Sequence, residues 1–221
     1  MRQHRRRTLL ASAILLPLGA CSSFLSLPGQ RPPTLYNLTP KTTFNDELGE
    51  LDVRILVEPP SATGGLNTAR IALKPDPTLL DYYADALWIE VVPIMVQTLV
   101  TESLDASGSL DVLGPDAVSL RPDYILRLHI REFQAEYDKG LDQPPLVNVR
   151  LQARLLGMPR RQSLASFAAQ QFTRSDGTGL DRIVLAYDEA LGSVVRQIVE
   201  WAVTEIARAE GPTKAPIRAQ G

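Results

Sequence analysis

Hydrophobic and polar positions change period several times along the chain, and each period points to one kind of element. Val53, Ile55 and Val57 alternate with Arg54, Leu56 and Glu58, the mark of a short strand that Pro59-Pro60 ends. Gly64-Gly65 makes a loop before a second short strand around Arg70–Leu73, and Leu35–Leu38 adds an edge strand. From Trp88 to Ser107 the period becomes helical, with Val92, Met95, Val96, Leu99, Val100 and Leu104 three and four apart on one face. Proline is tolerated in a helix only in the first turn, so Pro93 places the start near Val92. Gly108 suits a left-handed cap at the end.

Further on, Tyr124, Leu126, Leu128 and Ile130 oppose Ile125, Arg127, His129 and Arg131. The apolar set then moves to Phe133, Ala135 and Tyr137, a change of parity that predicts a bulge near Arg131-Glu132. Val147, Val149, Leu151, Ala153 and Leu155 alternate with Asn148, Arg150, Gln152 and Arg154, which means one buried face and one wet face. Leu164 to Thr173 makes a third strand of this meander. The last stripe runs from Leu180 through Ile183, Val184, Tyr187, Leu191, Val194, Val195, Ile198 and Ala202 to Ile206, a long amphipathic helix whose start Thr178 and Asp181 could cap. The expected class is α+β: one domain, a two-layer sandwich of a largely antiparallel β-sheet with two long amphipathic helices on one face.

The start of the chain follows a different logic. Arg2, Arg5, Arg6 and Arg7 precede an apolar run, Leu9 to Leu16, that is far shorter than the roughly 20 residues of a membrane-spanning helix. Leu18-Gly19-Ala20-Cys21 then resembles the lipobox of bacterial lipoproteins, in which the thiol is acylated and the chain is cut before it. An ordinary secretory signal with a chance cysteine is the alternative. The chain's only cysteine stands at the cleavage position, which favours the lipobox. The expected organisation is a signal peptide over 1–20, cleavage between Ala20 and Cys21, fatty acylation of Cys21, a Ser-, Pro- and Gly-rich tether to residue 33, a domain over 34–210 and a flexible tail over 211–221. Ser22, where an inner-membrane lipoprotein would carry Asp, implies the inner leaflet of the outer membrane. Arg6-Arg7-Thr8-Leu9-Leu10 loosely resembles a twin-arginine signal, so both export routes stay open.

Charge narrows the partners. Four of the 23 basic residues and none of the 25 acidic ones lie in residues 1–20, so the remaining 201 residues carry 19 bases and 25 acids, a formal −6. That balance disfavours nucleic acid. With His4 in the signal, His129 is the only histidine left, mid-strand among arginines and without a Gly-x-Ser-x-Gly elbow. Zinc-binding spacings, a P-loop and a dinucleotide fingerprint are missing from the sequence. No catalytic residue, metal ligand or cofactor is therefore assigned, and a hydrolase working with carboxylates alone is the enzymatic alternative. Arg127, Arg131, Arg150 and Arg154 could form a patch for anionic headgroups or a partner's carboxylates, against the plainer reading of a solvated face paired to acids. Tyr82, Tyr83 and Trp88 crowd three aromatic side chains into seven positions, which suits an interface and a core edge equally.

The succession of lipobox, Leu35-Tyr36-Asn37-Leu38, Thr68-Ala69-Arg70-Ile71-Ala72-Leu73, Tyr82-Tyr83-Ala84-Asp85-Ala86-Leu87-Trp88 and the Leu126–Tyr137 strand resembles the ABC-type transport auxiliary lipoproteins, relatives of paraquat-inducible protein C. The resemblance runs from about Thr34 to Arg208. It implies a non-enzymatic envelope component that docks a mammalian-cell-entry-type periplasmic protein, whose system also holds an ABC permease and an ATPase. Such systems move phospholipids or other hydrophobic molecules between membranes, and the docking component can be a homo-oligomer. The segments that match make Arg70, Tyr82, Tyr83 and Trp88 the candidate partner interface. An accessory lipoprotein of outer-membrane assembly or lipopolysaccharide handling is the alternative role.

Overall fold

The structure, a computed structural model, describes residues 32–45, 48–114 and 120–211. Ala20, Cys21, the tether up to residue 31 and the tail from residue 212 lie outside the described residues. Two α-helices and nine strands are described: β1 (Thr34–Tyr36), β2 (Arg54–Val57), β3 (Ser61–Ala62), β4 (Arg70–Asp76), β5 (Leu79–Trp88), α1 (Val92–Ala106), β6 (Asp111–Leu113), β7 (Tyr124–Glu136), β8 (Leu146–Gly157), β9 (Gln162–Arg174) and α2 (Leu180–Glu210).

β7 is the hub of the single mixed sheet. Along one edge it meets β2, β3 and β4 in turn, all parallel; along the other it pairs with β8 over its whole length, antiparallel, and β8 pairs with β9. β4 and β5 form an antiparallel hairpin, with β1 parallel on the far side of β5 and β6 parallel on β2. The expectation of a largely antiparallel sheet therefore needs correction. The two longest pairings are antiparallel, but five of the eight pairings among the described residues are parallel. Alternation assigns a side chain to a face; it carries no information about the direction of the neighbouring strand. The parallel pairs involve two or three residues each, too short to leave a pattern.

The bulge expected near Arg131-Glu132 is present as a register shift between Ile130 and Glu132. It leaves the Phe133 N–H without a ladder acceptor, and the side-chain oxygen of buried Gln134 accepts it at 2.8 Å. Past the shift, Phe133 and Ala135 continue the buried face that Leu126, Leu128 and Ile130 began. The inward residues of β7 and β8 join the apolar stripes of α1 and α2 in one core, and Phe167 of β9 stacks on Trp201 of α2 at 5.5 Å. The other face of β7 and β8 carries Arg127, Arg131, Arg150 and Arg154, all exposed.

The helix boundaries follow local chemistry. α1 starts at Val92 with Pro93 in its first turn and ends just before Gly108, whose φ of 64° suits a residue without Cβ. For α2 the cap lies one residue later than expected: Gly179 is the N-cap, and no side chain caps it. Asp181 sits in the first turn, where its charge complements the helix dipole.

Candidate functional site

The two segments that carry the resemblance fold onto one another. Ala69 O accepts the Trp88 N–H at 2.8 Å and Thr68 O accepts the Val92 N–H at 3.0 Å, so the approach to β4 holds the corner where β5 turns into α1. Ala72 and Tyr82 are partners in the β4–β5 register and share a face. Arg70, two residues before Ala72, faces the same way. Its guanidinium lies 3.9 Å from the Tyr82 ring centroid, a cation–π contact worth about 0.5–1 kcal/mol at an exposed site. The Tyr82 hydroxyl donates to Gly65 O at 2.8 Å. A Cβ at Gly65 would come within 2.3 Å of Leu80 Cδ2, so a larger residue here would have to displace the tip of the Leu80 side chain. Tyr82 is thus fixed at its hydroxyl and across its ring face, and it carries an exposed guanidinium that no carboxylate engages among the described residues. Such a group offers paired donors to an incoming carboxylate.

Tyr83 and Trp88 take other roles. Between Arg70 and Ala72 the register slips, with a step of two on β4 against five on β5, and Asp85 within that slip has φ 55°. Tyr83 is half-buried, its hydroxyl 3.0 Å from that of Tyr137; burial and this bond push its phenol well above the usual range. Trp88 is 1% exposed and packs edge-on against Phe133 at 5.9 Å and Tyr187 at 5.2 Å. Tyr187, fully buried, donates its hydroxyl to Ala72 O at 2.6 Å. Trp88 therefore belongs to the core and supports the surface from below, while Arg70 and Tyr82 form that surface and Tyr83 lies between. Gly65, whose carbonyl accepts the Tyr82 hydroxyl, is the neighbour that a reading of Gly64-Gly65 as mere loop passed over.

The arginines of β7 and β8 form only in part a ladder paired to acids: Arg150 stands opposite Glu132. Arg127 stands directly opposite Arg154, and His129 opposite Gln152. Arg127 donates to Glu58 at 2.8 Å, and Arg161 shares the same carboxylate. Burial raises the Glu58 carboxyl, but hydrogen bonds and charge from these two arginines outweigh it and hold the group below its ordinary value. Arg131 donates to the Gln152 side-chain oxygen at 3.2 Å, and Ser61 Oγ lies 2.8 Å from His129 Nδ1. Desolvation and the Arg131 charge depress the His129 imidazole.

Comparison with known proteins decides the affiliation. Residues 36–199 match the family described as ABC-type transport auxiliary lipoprotein component. The chain belongs to that family. Among solved structures, this auxiliary lipoprotein is similar to a Xanthomonas campestris protein at 25% identity and a TM-score of 0.74, covering 80% of this chain and 98% of that one. It is also similar to an uncharacterized protein at 14% identity and a TM-score of 0.55, covering 82% and 100%, a likeness of fold alone. Among the curated proteins, none matches it.

The family is one of transport auxiliary components, and a separate cleft on this member has two of its acids, Asp123 and Glu210, engaged as acceptors. That cleft, about 600 Å³, is lined by Asp52, Asp123, Tyr124, Arg160 and Glu210 among others. Asp123 accepts the Arg54 N–H at 2.9 Å, and the Tyr124 hydroxyl donates to Glu210 at 2.5 Å, tying the start of β7 to the end of α2. Burial, with Glu210 next, pushes the Tyr124 phenol up to about 12.

Proposed function

We propose that this chain is a lipid-anchored docking subunit of an ABC transport system. In this reading the signal over 1–20 is removed between Ala20 and Cys21, acylated Cys21 holds the protein at the inner leaflet of the outer membrane, and residues 21–33 tether the domain over 34–210. The exposed Arg70–Tyr82 pair, with Tyr83 beside it, receives a mammalian-cell-entry-type periplasmic protein, and that protein's permease and ATPase supply the work of moving phospholipid or another hydrophobic molecule. The observation that carries the proposal is the family match over residues 36–199. Arg70 and Tyr82 fall inside that span, and their preorganised pairing supports the choice of surface. Anchoring adds to it, because confinement near the membrane raises the effective concentration of two partners and lets modest contacts suffice.

Arg70→Glu reverses the charge of an exposed side chain without touching the core. The expected outcome is at least about a tenfold drop in the transporter partner recovered with the lipidated protein, as for loss of a charge-assisted bidentate contact, at an unchanged melting temperature. Arg160→Glu, a similar reversal in the distant cleft, should leave recovery intact. Equal recovery from wild type and Arg70→Glu would remove this surface from the proposal.

A further inference from the structure

The wet face of the sheet holds a second constellation that partner docking at Arg70 does not use. We propose that the hollow between β3, β7 and β8, lined by Ser61, Arg127, His129, Arg131, Gln152 and Arg154, is a binding site for a phosphate-type oxyanion. Three observations carry this. The hollow, about 340 Å³, gathers three guanidinium groups and no carboxylate in its lining. Arg127 and Arg154 are direct cross-strand partners, and like charges placed so repel. Glu58 offsets only one side of that repulsion: it engages Arg127 and Arg161, whereas Arg154 has no ion pair among the described residues, and Arg131 bonds only to the neutral Gln152 amide. A bound phosphate oxyanion would supply the missing compensation.

The donors also suit a tetrahedral anion more than a planar carboxylate. Guanidinium forks come from two adjacent strands, and a hydroxyl and an imidazole add donors between them. The β7–β8 ladder beneath is unbroken from Arg127–Arg154 to His129–Gln152, and the bulge follows at Arg131. The charged groups around His129 are Arg127 and Arg131 on its own strand and Arg154 diagonally across on β8, with Glu58 and Arg161 beyond Arg127. Desolvation first and the Arg131 charge next lower the imidazole's affinity for a proton, and an anion in the hollow would act in the opposite direction. A phosphate can arrive free in solution or as the headgroup of an anionic lipid; the chemistry recognised is the same.

The test follows the His129 imidazole by NMR in the lipidated protein held in neutral detergent micelles, with the signal assigned by its loss in His129→Gln. Inorganic phosphate is titrated in one arm and phosphatidylglycerol mixed into the micelles in the other. A saturable shift, with the imidazole titrating at higher pH once ligand is bound, is the expected result. Tighter binding of phosphatidylglycerol would identify a headgroup site, and binding no tighter than inorganic phosphate a free-anion site. Arg131→Gln with Arg154→Gln should weaken binding by about tenfold or more, the scale of a lost charge-assisted contact. The melting temperature should hold or rise, because a repulsive pair has been removed. Arg150→Gln, on the same face but outside the hollow, should change little. No saturable shift in either arm, or an equal loss in Arg150→Gln, would overturn the site.

Discussion

Replacing Trp88 with alanine removes a ring that touches both Phe133 and Tyr187, so the change falls on β5, β7 and α2 together. A buried Trp→Ala substitution costs about 3–5 kcal/mol, and a lower denaturant midpoint for Trp88→Ala is the expected reading. Arg70→Glu, close by in the fold, should leave that midpoint where it is. The contrast separates two residues that composition alone treats alike. Aromatic crowding in Tyr82–Trp88 was legible from the sequence, whereas the division of labour within it was not. It depends on the slip around Asp85 and on Phe133 and Tyr187, residues about 45 and 100 positions further along the chain. Burial of one aromatic and exposure of its neighbour is decided by such distant partners.

At the scale of elements, Glu58 links the end of β2 to β7 through Arg127 and to the turn before β9 through Arg161. Its carboxyl is held below its ordinary value, so the folded state binds its proton less readily than the unfolded chain does. That contribution to stability is complete above the unfolded value and is lost as pH falls through the folded one. Glu58→Gln should therefore lower the denaturant midpoint at pH 7, and the gap from wild type should narrow as pH drops below about 4.5. Strand faces, the β7 bulge and both helices could be read from periodicity because a half-buried strand and an amphipathic helix repeat at 2 and 3.6 residues. Strand direction could not. Nor could β3 and β6, of two and three residues, or β5, where no clean alternation survives two register shifts against β4. The arginines of β7 and β8 were legible as a wet face, but the pairing of Arg127 with Arg154 needed the register.

For the whole molecule, family membership rests on residues 36–199, and the Arg70–Tyr82 pair, which lies inside that span, is the surface proposed for docking. In the proposed reading, an acylated Cys21, a short tether and the Arg70–Tyr82 surface together make a subunit that waits at a membrane for a partner. Docking is the claim on which the rest depends. The most direct measurement is to crosslink the native lipidated protein in cells, solubilise it in mild detergent, purify it and identify the co-purifying proteins by mass spectrometry. The account predicts a mammalian-cell-entry-type protein together with its permease and ATPase. Recovery of only a β-barrel protein or lipopolysaccharide-handling machinery would contradict it.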